Sequence, residues 1–313
     1  MELTKTLEFV FKMLVYVALG YIGAGTRILD DRALDGGNQI LASLLLPASI
    51  LTAARAQAPG DGVGTGILLM IGITLAGYVF QFALTHFLAG RMGLDHHMRA
   101  NFVGGTVMKN IGYLGLPMCT AVLGEQSGFY VGFAMIIFTV IAWTYGVYLF
   151  SGDSHFQFRK VFLNNSMIVC YVTILIRIFQ IPLPEVVWDT VSSLGSACTP
   201  MSLILIGYML NQTGLGTVFR NKLLYGMSFL SLLLMPLATF GLVLLLKPPE
   251  EVSAVLIVLS AVPSATLNAI FAKSYGDGGT FVSAAILQQI LLSMVTMPVM
   301  LTILLGLIRT GSL

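Results

Sequence analysis

A lysine stands inside an otherwise uncharged apolar run, in Thr106-Val-Met-Lys109-Asn110-Ile-Gly112-Tyr113-Leu-Gly115-Leu-Pro117. Counted from Met98, it lies about 16 Å along a helix, near the centre of a bilayer if the run spans one. A charge there costs at least ~2.5 kcal/mol and marks a candidate functional site. No Asp or Glu falls near the middle of any apolar run, so a substrate carboxylate is one partner that Lys109 could have. The other readings are a side chain that reaches the interface and an amine held uncharged. Asn110 and Tyr113 flank the lysine and are candidates to line the same cavity.

Two glycines and a proline within six residues make an unbroken helix unfavourable over Gly112, Gly115 and Pro117. A second run, Ser260-Ala-Val-Pro263-Ser264-Ala-Thr266-Leu-Asn268, repeats the theme with a mid-run proline among small and polar residues. Irregular backbone at membrane depth persists only where protein or a watery cavity satisfies its polar groups. Paired interruptions in two halves of a chain point to a binding site, whereas isolated ones are simple kinks. Proline suits the first turn of a helix. Pro117 and Pro263 are therefore expected near the starts of second half-helices, whose free N–H groups would favour an anion. Thr266 and Asn268 join the candidate site on this ground.

Other polar residues carry less weight. Gln288 and Gln289 are adjacent in the last apolar run and point about 100° apart, so one is expected to face the interior, as a contact or as glue between helices; Gln288 is kept as a candidate. Gln81 and His86 are expected to be structural or at one mouth of the bundle, Arg177 to reach an interface, and His96, His97 and His155 to lie in loops. Cys119, Cys170 and Cys198 lack metal-type spacing and read as small buried residues. The run Gly60-Asp-Gly62-Val-Gly64-Thr-Gly66 has no following Lys-Ser/Thr and reads as an external turn. No HExxH, Walker or GxSxG motif occurs, so neither an enzyme, a metal centre nor a cofactor is expected.

The elements that must position these residues are set by composition. Of 313 residues, 57% are hydrophobic and only 10% charged, with a mean hydropathy of +0.90. Soluble domains carry roughly 25% charged residues, so the outer surface of this chain must face lipid. A net charge of +2 gives no footprint for nucleic acid. A bilayer needs about 20 apolar residues per helix, and ten such spans can be counted: Leu7–Ile28, Asn38–Ala56, Val63–Gly90, Met98–Gly124, Gln126–Phe150, Val161–Ile181, Glu185–Leu210, Leu223–Leu246, Glu251–Tyr275 and Thr280–Ile308. The predicted class is thus an all-α integral membrane protein with ten transmembrane helices. Nine of the sixteen Lys and Arg follow odd-numbered spans and four lie on the opposite side, which places both termini outside the cytoplasm of a cell inner (plasma) membrane.

The second and seventh spans resemble each other. Leu41, Ser43, Pro47 and Ser49 recur as Leu194, Ser196, Pro200 and Ser202, at an offset of 153. An offset near half the length gives two five-helix repeats, residues 1–150 and 161–313. Because five is odd, the second is inverted relative to the first, an architecture of secondary transporters.

The sequence resembles the auxin efflux carrier family, which includes bacterial malate or malonate permease-like members. The likeness spans nearly the whole chain. It is carried by Gly20-Tyr21 with Leu29-Asp30, Leu45-Leu46-Pro47-Ala48, the run from Asn110 to Pro117, Pro200-Met-Ser-Leu-Ile-Leu-Ile-Gly207, and the run from Pro263 to Asn268 followed by Tyr275-Gly276. The resemblance implies a fold similar to bile-acid/sodium symporters, with spans 4 and 9 broken and crossing at the substrate site. Spans 1, 2, 6 and 7 would form a scaffold that makes a homodimer, and spans 3–5 and 8–10 a transport domain that moves like an elevator. Asn110, Pro117, Pro263 and Asn268 would sit at the crossing, while Lys109 departs from the family pattern.

The expected function is secondary transport of a small organic anion, a carboxylate, with the lipid bilayer and the anion as partners. Coupling to Na+ or H+ is left open. A sodium-coupled importer of a neutral or amphipathic solute is the competing reading, and a membrane sensor without transport a third.

Overall fold

A computed structural model of the chain describes residues 2–56, 63–152, 163, 168–169, 171–172, 175–176, 181, 183–213 and 215–309. Most of the expected sixth span, with Cys170 and Arg177, lies outside these residues, as do His155 and Gly60 to Gly62. The described residues form helices joined by short links, in the order α1 (Glu2–Gly25), α2 (31–56), α3 (Val63–Arg91), α4 (His96–Val107), α5 (Ile111–Leu123), α6 (Ser127–Ser151), α7 (Glu185–Ser196), α8 (Cys198–Thr213), α9 (Leu215–Arg220), α10 (Lys222–Leu246), α11 (Glu250–Ala261), α12 (Thr266–Ser274) and α13 (Gly279–Arg309). Five stretches are long and apolar enough to cross a bilayer: Gly64–Arg91, Ser127–Ser151, Glu185–Gln212, Lys222–Leu246 and Gly279–Ile308. Shorter apolar helices run over Phe11–Gly25 and Ile111–Leu123. Large apolar side chains such as Leu68, Val79 and Val295 are about 70% exposed, which only a lipid-facing surface tolerates at this density.

Three prolines leave the same signature on the helices that contain them. Each follows a five-residue π-turn by two positions: Leu41–Leu45 before Pro47, Ile111–Gly115 before Pro117, and Leu230–Leu234 before Pro236. The residue just before each proline donates five back, Leu46 to Leu41, Leu116 to Ile111 and Met235 to Leu230. Proline has no N–H to continue the pattern. The carbonyls of Ala42, Gly112 and Ser231 are therefore left with no donor four or five residues ahead. A wider turn relieves the ring clash and releases one carbonyl per proline.

The helices pack in two ways. α1 lies along α8, and α2 along α7. The α1–α8 contact is made by paired glycines: a Cβ on Gly20 would collide with the carbonyl of Ile204, and one on Gly207 with the carbonyl of Val17. Such closeness is how small residues replace the missing hydrophobic drive between helices in lipid. Gly195 likewise faces the backbone of Ser49, whose Cα a Cβ at position 195 would meet at 2.9 Å. The remaining long helices, α3, α6, α10 and α13, surround the shorter α4, α5, α11 and α12.

Several smaller expectations meet the structure here. Gly64 and Gly66 belong to the first turns of α3, not to a turn outside it. His96 and His97 open α4 behind an Asp95 cap, whose side chain accepts from Met98 N at 2.8 Å. Cys119 and Cys198 are buried and free. Replacing Gly20 or Gly207 with valine drives a side chain into backbone. Each is expected to cost about 2 kcal/mol or more and to lower the melting temperature of the purified protein, whereas Gly72→Val, at an open position, leaves it unchanged.

Candidate substrate site at the crossing of two broken helices

The two interrupted segments meet. α4 ends at Val107, and Met108 turns extended at φ −80°, ψ 99°. α11 ends at Ala261, and Val262 and Ala265 are extended as well. The two links pair as a short antiparallel bridge between Lys109 and Ser264. Asn110 N donates to Pro263 O at 2.8 Å, and Ala265 N donates to Met108 O at 2.8 Å. Backbone that left its helix is thereby satisfied by backbone that left another, as a dry interior demands.

The Met108 carbonyl is the anchor of this pairing. Besides Ala265 N it accepts from Asn268 Nδ2 at 2.9 Å and from Ser264 Oγ at 3.4 Å, while Asn268 Nδ2 also donates to Ser264 Oγ at 2.7 Å. Gln289 ties the crossing to α13: its Oε1 accepts from Ser264 N at 2.9 Å and its Nε2 donates to Gly105 O at 2.8 Å. Asn268 and Gln289 are fully buried, so each of these bonds is made without competition from water.

Beyond the bridge both chains resume as helices. Asn110 caps α5, its Oδ1 accepting from Tyr113 N at 3.1 Å, and its carbonyl takes the N–H groups of Leu114 and Gly115. Ala265 caps α12, which begins at Thr266. The second half-helices thus start at Ile111 and Thr266. Pro117 lies six residues into the first, and Pro263 lies three residues before the second, within the extended link. The first turns are placed by Asn110 and Ala265, while the prolines shape the π-turn and the link.

A cavity of about 440 Å³ opens at these first turns. Lys109, Asn110, Gly112 and Tyr113 line it from one side and Thr266 from the other. Asn110 is 4% exposed, and its Nδ2 has no hydrogen-bond partner. Apart from Thr139 of α6, the rest of the wall is apolar, with Trp143 and Phe138 of α6, Ile270 of α12 and Leu46 of α2. Ala42 and Gly112, whose carbonyls the prolines release, also line it. Two helix N-termini and an unpaired amide converge on one space in which no carboxylate stands, an arrangement suited to an anion.

Lys109 is buried at 4% exposure, and its amine is committed elsewhere. Nζ donates to the carbonyl of Ser231 at 2.6 Å and to its hydroxyl at 2.5 Å. That carbonyl is the one released by Pro236. The Ser231 hydroxyl in turn donates to Gln289 Oε1 at 3.0 Å, so the lysine joins the network that holds the crossing. Lys109 therefore borders the cavity while its amine is anchored on α10.

Of the expected site residues, Lys109, Asn110, Tyr113, Thr266 and Gly112 line the cavity, and Asn268 locks the bridge behind it. Gln288 is fully buried and borders neither described cavity; it accepts from Ser228 Oγ at 2.8 Å and donates to Val218 O at 2.9 Å, joining α9, α10 and α13. Gly115 packs against Leu259, Pro47 shapes α2, and Pro200 sits in the first turn of α8. His86 Nε2 shares a hydrogen with Tyr145 Oη at 2.5 Å, and its carbonyl accepts from Arg99 at 3.0 Å. Sequence reasoning missed Ser231, Ser264 and the Met108 carbonyl. Ser231 was findable, five residues before a mid-span proline, by asking which carbonyl that proline deprives.

Broken helices that pair through backbone beside an anion-suited cavity define a class, the multi-pass helical membrane transporters. The chain belongs to the membrane transport protein family, the auxin efflux carrier-like family, whose profile matches residues 6–157 and 165–301. It is similar to an "uncharacterized transporter" of Methanothermobacter thermautotrophicus, 25% identical over 298 residues that cover 93% of this chain and 96% of that one.

The Lys109–Ser231–Pro236 arrangement yields a coupled prediction. Lys109→Met leaves a buried carbonyl unpaired and is expected to cost about 1–3 kcal/mol of stability. Pro236→Ala restores a backbone donor for that carbonyl and should recover a measurable part of the loss. A double-mutant thermal unfolding cycle with no coupling between the two sites would contradict this account.

Proposed function

We propose that the protein is a secondary transporter for a small organic anion, a carboxylate, bound at the crossing. The observation that carries this reading is the meeting of two half-helix N-termini and the unpaired Asn110 amide in one carboxylate-free cavity. The carboxylate lies against Asn110, Gly112 and Thr266, with Tyr113 beside it. An apolar body rests on Trp143, Phe138 and Ile270. Lys109 contributes positive potential through the wall and holds the crossing rigid.

Movement follows the two inverted five-helix repeats read from the sequence. Spans 1, 2, 6 and 7 form a static scaffold that dimerises, and spans 3–5 and 8–10 carry the site past it like an elevator. In support, Ala42 and Leu46 of α2 face the crossing across the cavity, so the substrate occupies a seam between the two groups. The protein works in the cell inner membrane with both termini outside the cytoplasm. A sodium-coupled importer of an amphipathic solute is favoured by one observation, the carbonyls of Ala42 and Gly112 released at the cavity wall.

The test is a thermal-shift screen of purified protein against organic acids, with and without sodium, followed by counterflow in proteoliposomes. Carboxylates are expected to raise the melting temperature without sodium. Asn110→Asp, which places a like charge at the site, should weaken the acid at least tenfold, about 1.4 kcal/mol. Sodium-dependent stabilisation that Asn110→Asp leaves intact would select the importer instead.

A further inference from the structure

A second cavity, of about 50 Å³, is also lined by Lys109. α3 contributes Thr74, Tyr78 and Gln81 to it, α10 contributes Thr239 and α11 contributes Ser260. Gln81 is 8% exposed, and its Oε1 has no hydrogen-bond partner; the buried Oγ1 of Thr74 has none either. Two unpaired polar side chains around one small cavity are costly unless something inside it completes them. The α3 spacing, with Thr74, Tyr78 and Gln81 three to four residues apart, puts all three on one helix face.

The wall selects the sign of the occupant. Apart from Lys109 its polar groups are neutral hydroxyls and an amide, and no carboxylate lines it. A metal cation would face the lysine ammonium with nothing to offset the repulsion, whereas an anion is attracted by it. The hydroxyls of Thr74 and Tyr78 can donate, and the Gln81 amide can turn its NH2 group inward. Lys109 has three N–H donors and places two on Ser231, which leaves one. Size selects further: at about 50 Å³ the cavity has room for a water-sized particle, and it is far smaller than the 440 Å³ space at the first turns.

We propose that this cavity is a site for a single monatomic anion of the chloride class, held by Gln81, Thr74 and Lys109. It is separate from the organic-anion cavity and does not rest on the substrate reading. Its occupant completes the unpaired groups of Thr74 and Gln81 within a wall that holds no carboxylate.

The experiment is thermal unfolding of the purified full chain in sodium methanesulfonate, an anion without a carboxylate, with chloride or bromide replacing methanesulfonate at constant ionic strength. A saturable rise of a few degrees is expected with either halide. Gln81→Glu supplies a fixed carboxylate and should abolish the response, and Thr74→Val should shift its midpoint about tenfold, ~1.4 kcal/mol. An equal melting temperature in chloride and methanesulfonate overturns the site, as does an unchanged halide response in Gln81→Glu. Should either variant fail to fold, wild-type crystals grown in bromide decide the matter. An anomalous peak beside Gln81 upholds the proposal, and its absence there rejects it.

Discussion

The structure depends on one constraint: backbone that leaves a helix inside a membrane must find partners without water. Here the two interruptions solve it for each other. The exchange between Asn110 N and Pro263 O, and between Ala265 N and Met108 O, turns two defects into one short antiparallel pair. Everything at the site follows from that pairing. It fixes where α5 and α12 begin, and hence where their first turns converge. The surrounding side chains serve it: Asn268 and Ser264 add donors to the Met108 carbonyl, and Gln289 fastens the pair to α13.

Proline has two different uses in this bundle. Within α2, α5 and α10 it widens a turn and frees a carbonyl, without ending the helix. In the link between α11 and α12 it favours the extended backbone that the bridge requires. The freed carbonyls then have different fates. That of Ser231 is taken by the amine of Lys109, whereas Ala42 and Gly112 sit at the wall of the larger cavity. A buried lysine and a mid-span proline, each unfavourable alone, offset one another across two helices.

This also explains how a lysine at bilayer depth can serve a site without its amine entering the cavity. Its side chain borders the cavity, while its amine holds α10 to the crossing through Ser231. Glycine plays a matching part at the periphery, where Gly20 and Gly207 let α1 and α8 approach to backbone contact.

Much of the fold was legible in the sequence because lipid imposes simple rules. Length and hydropathy gave the long helices α3, α6, α10 and α13, and the residues around Lys109 and Pro263 marked the breaks. Asn110, Tyr113 and Thr266, which line the larger cavity, were readable as candidates since polar groups at membrane depth need a reason, and Gly112 was marked by the helix break. What only the tertiary structure decided was pairing. No local pattern says that Met108 faces Ala265, that Lys109 turns to Ser231, or that Gln288 spends its amide between α9 and α10 while Gln289 holds the crossing. Those outcomes depend on which helices become neighbours. A linear sequence constrains the period and depth of each residue, but contact between segments more than a hundred residues apart is set by how the whole bundle packs.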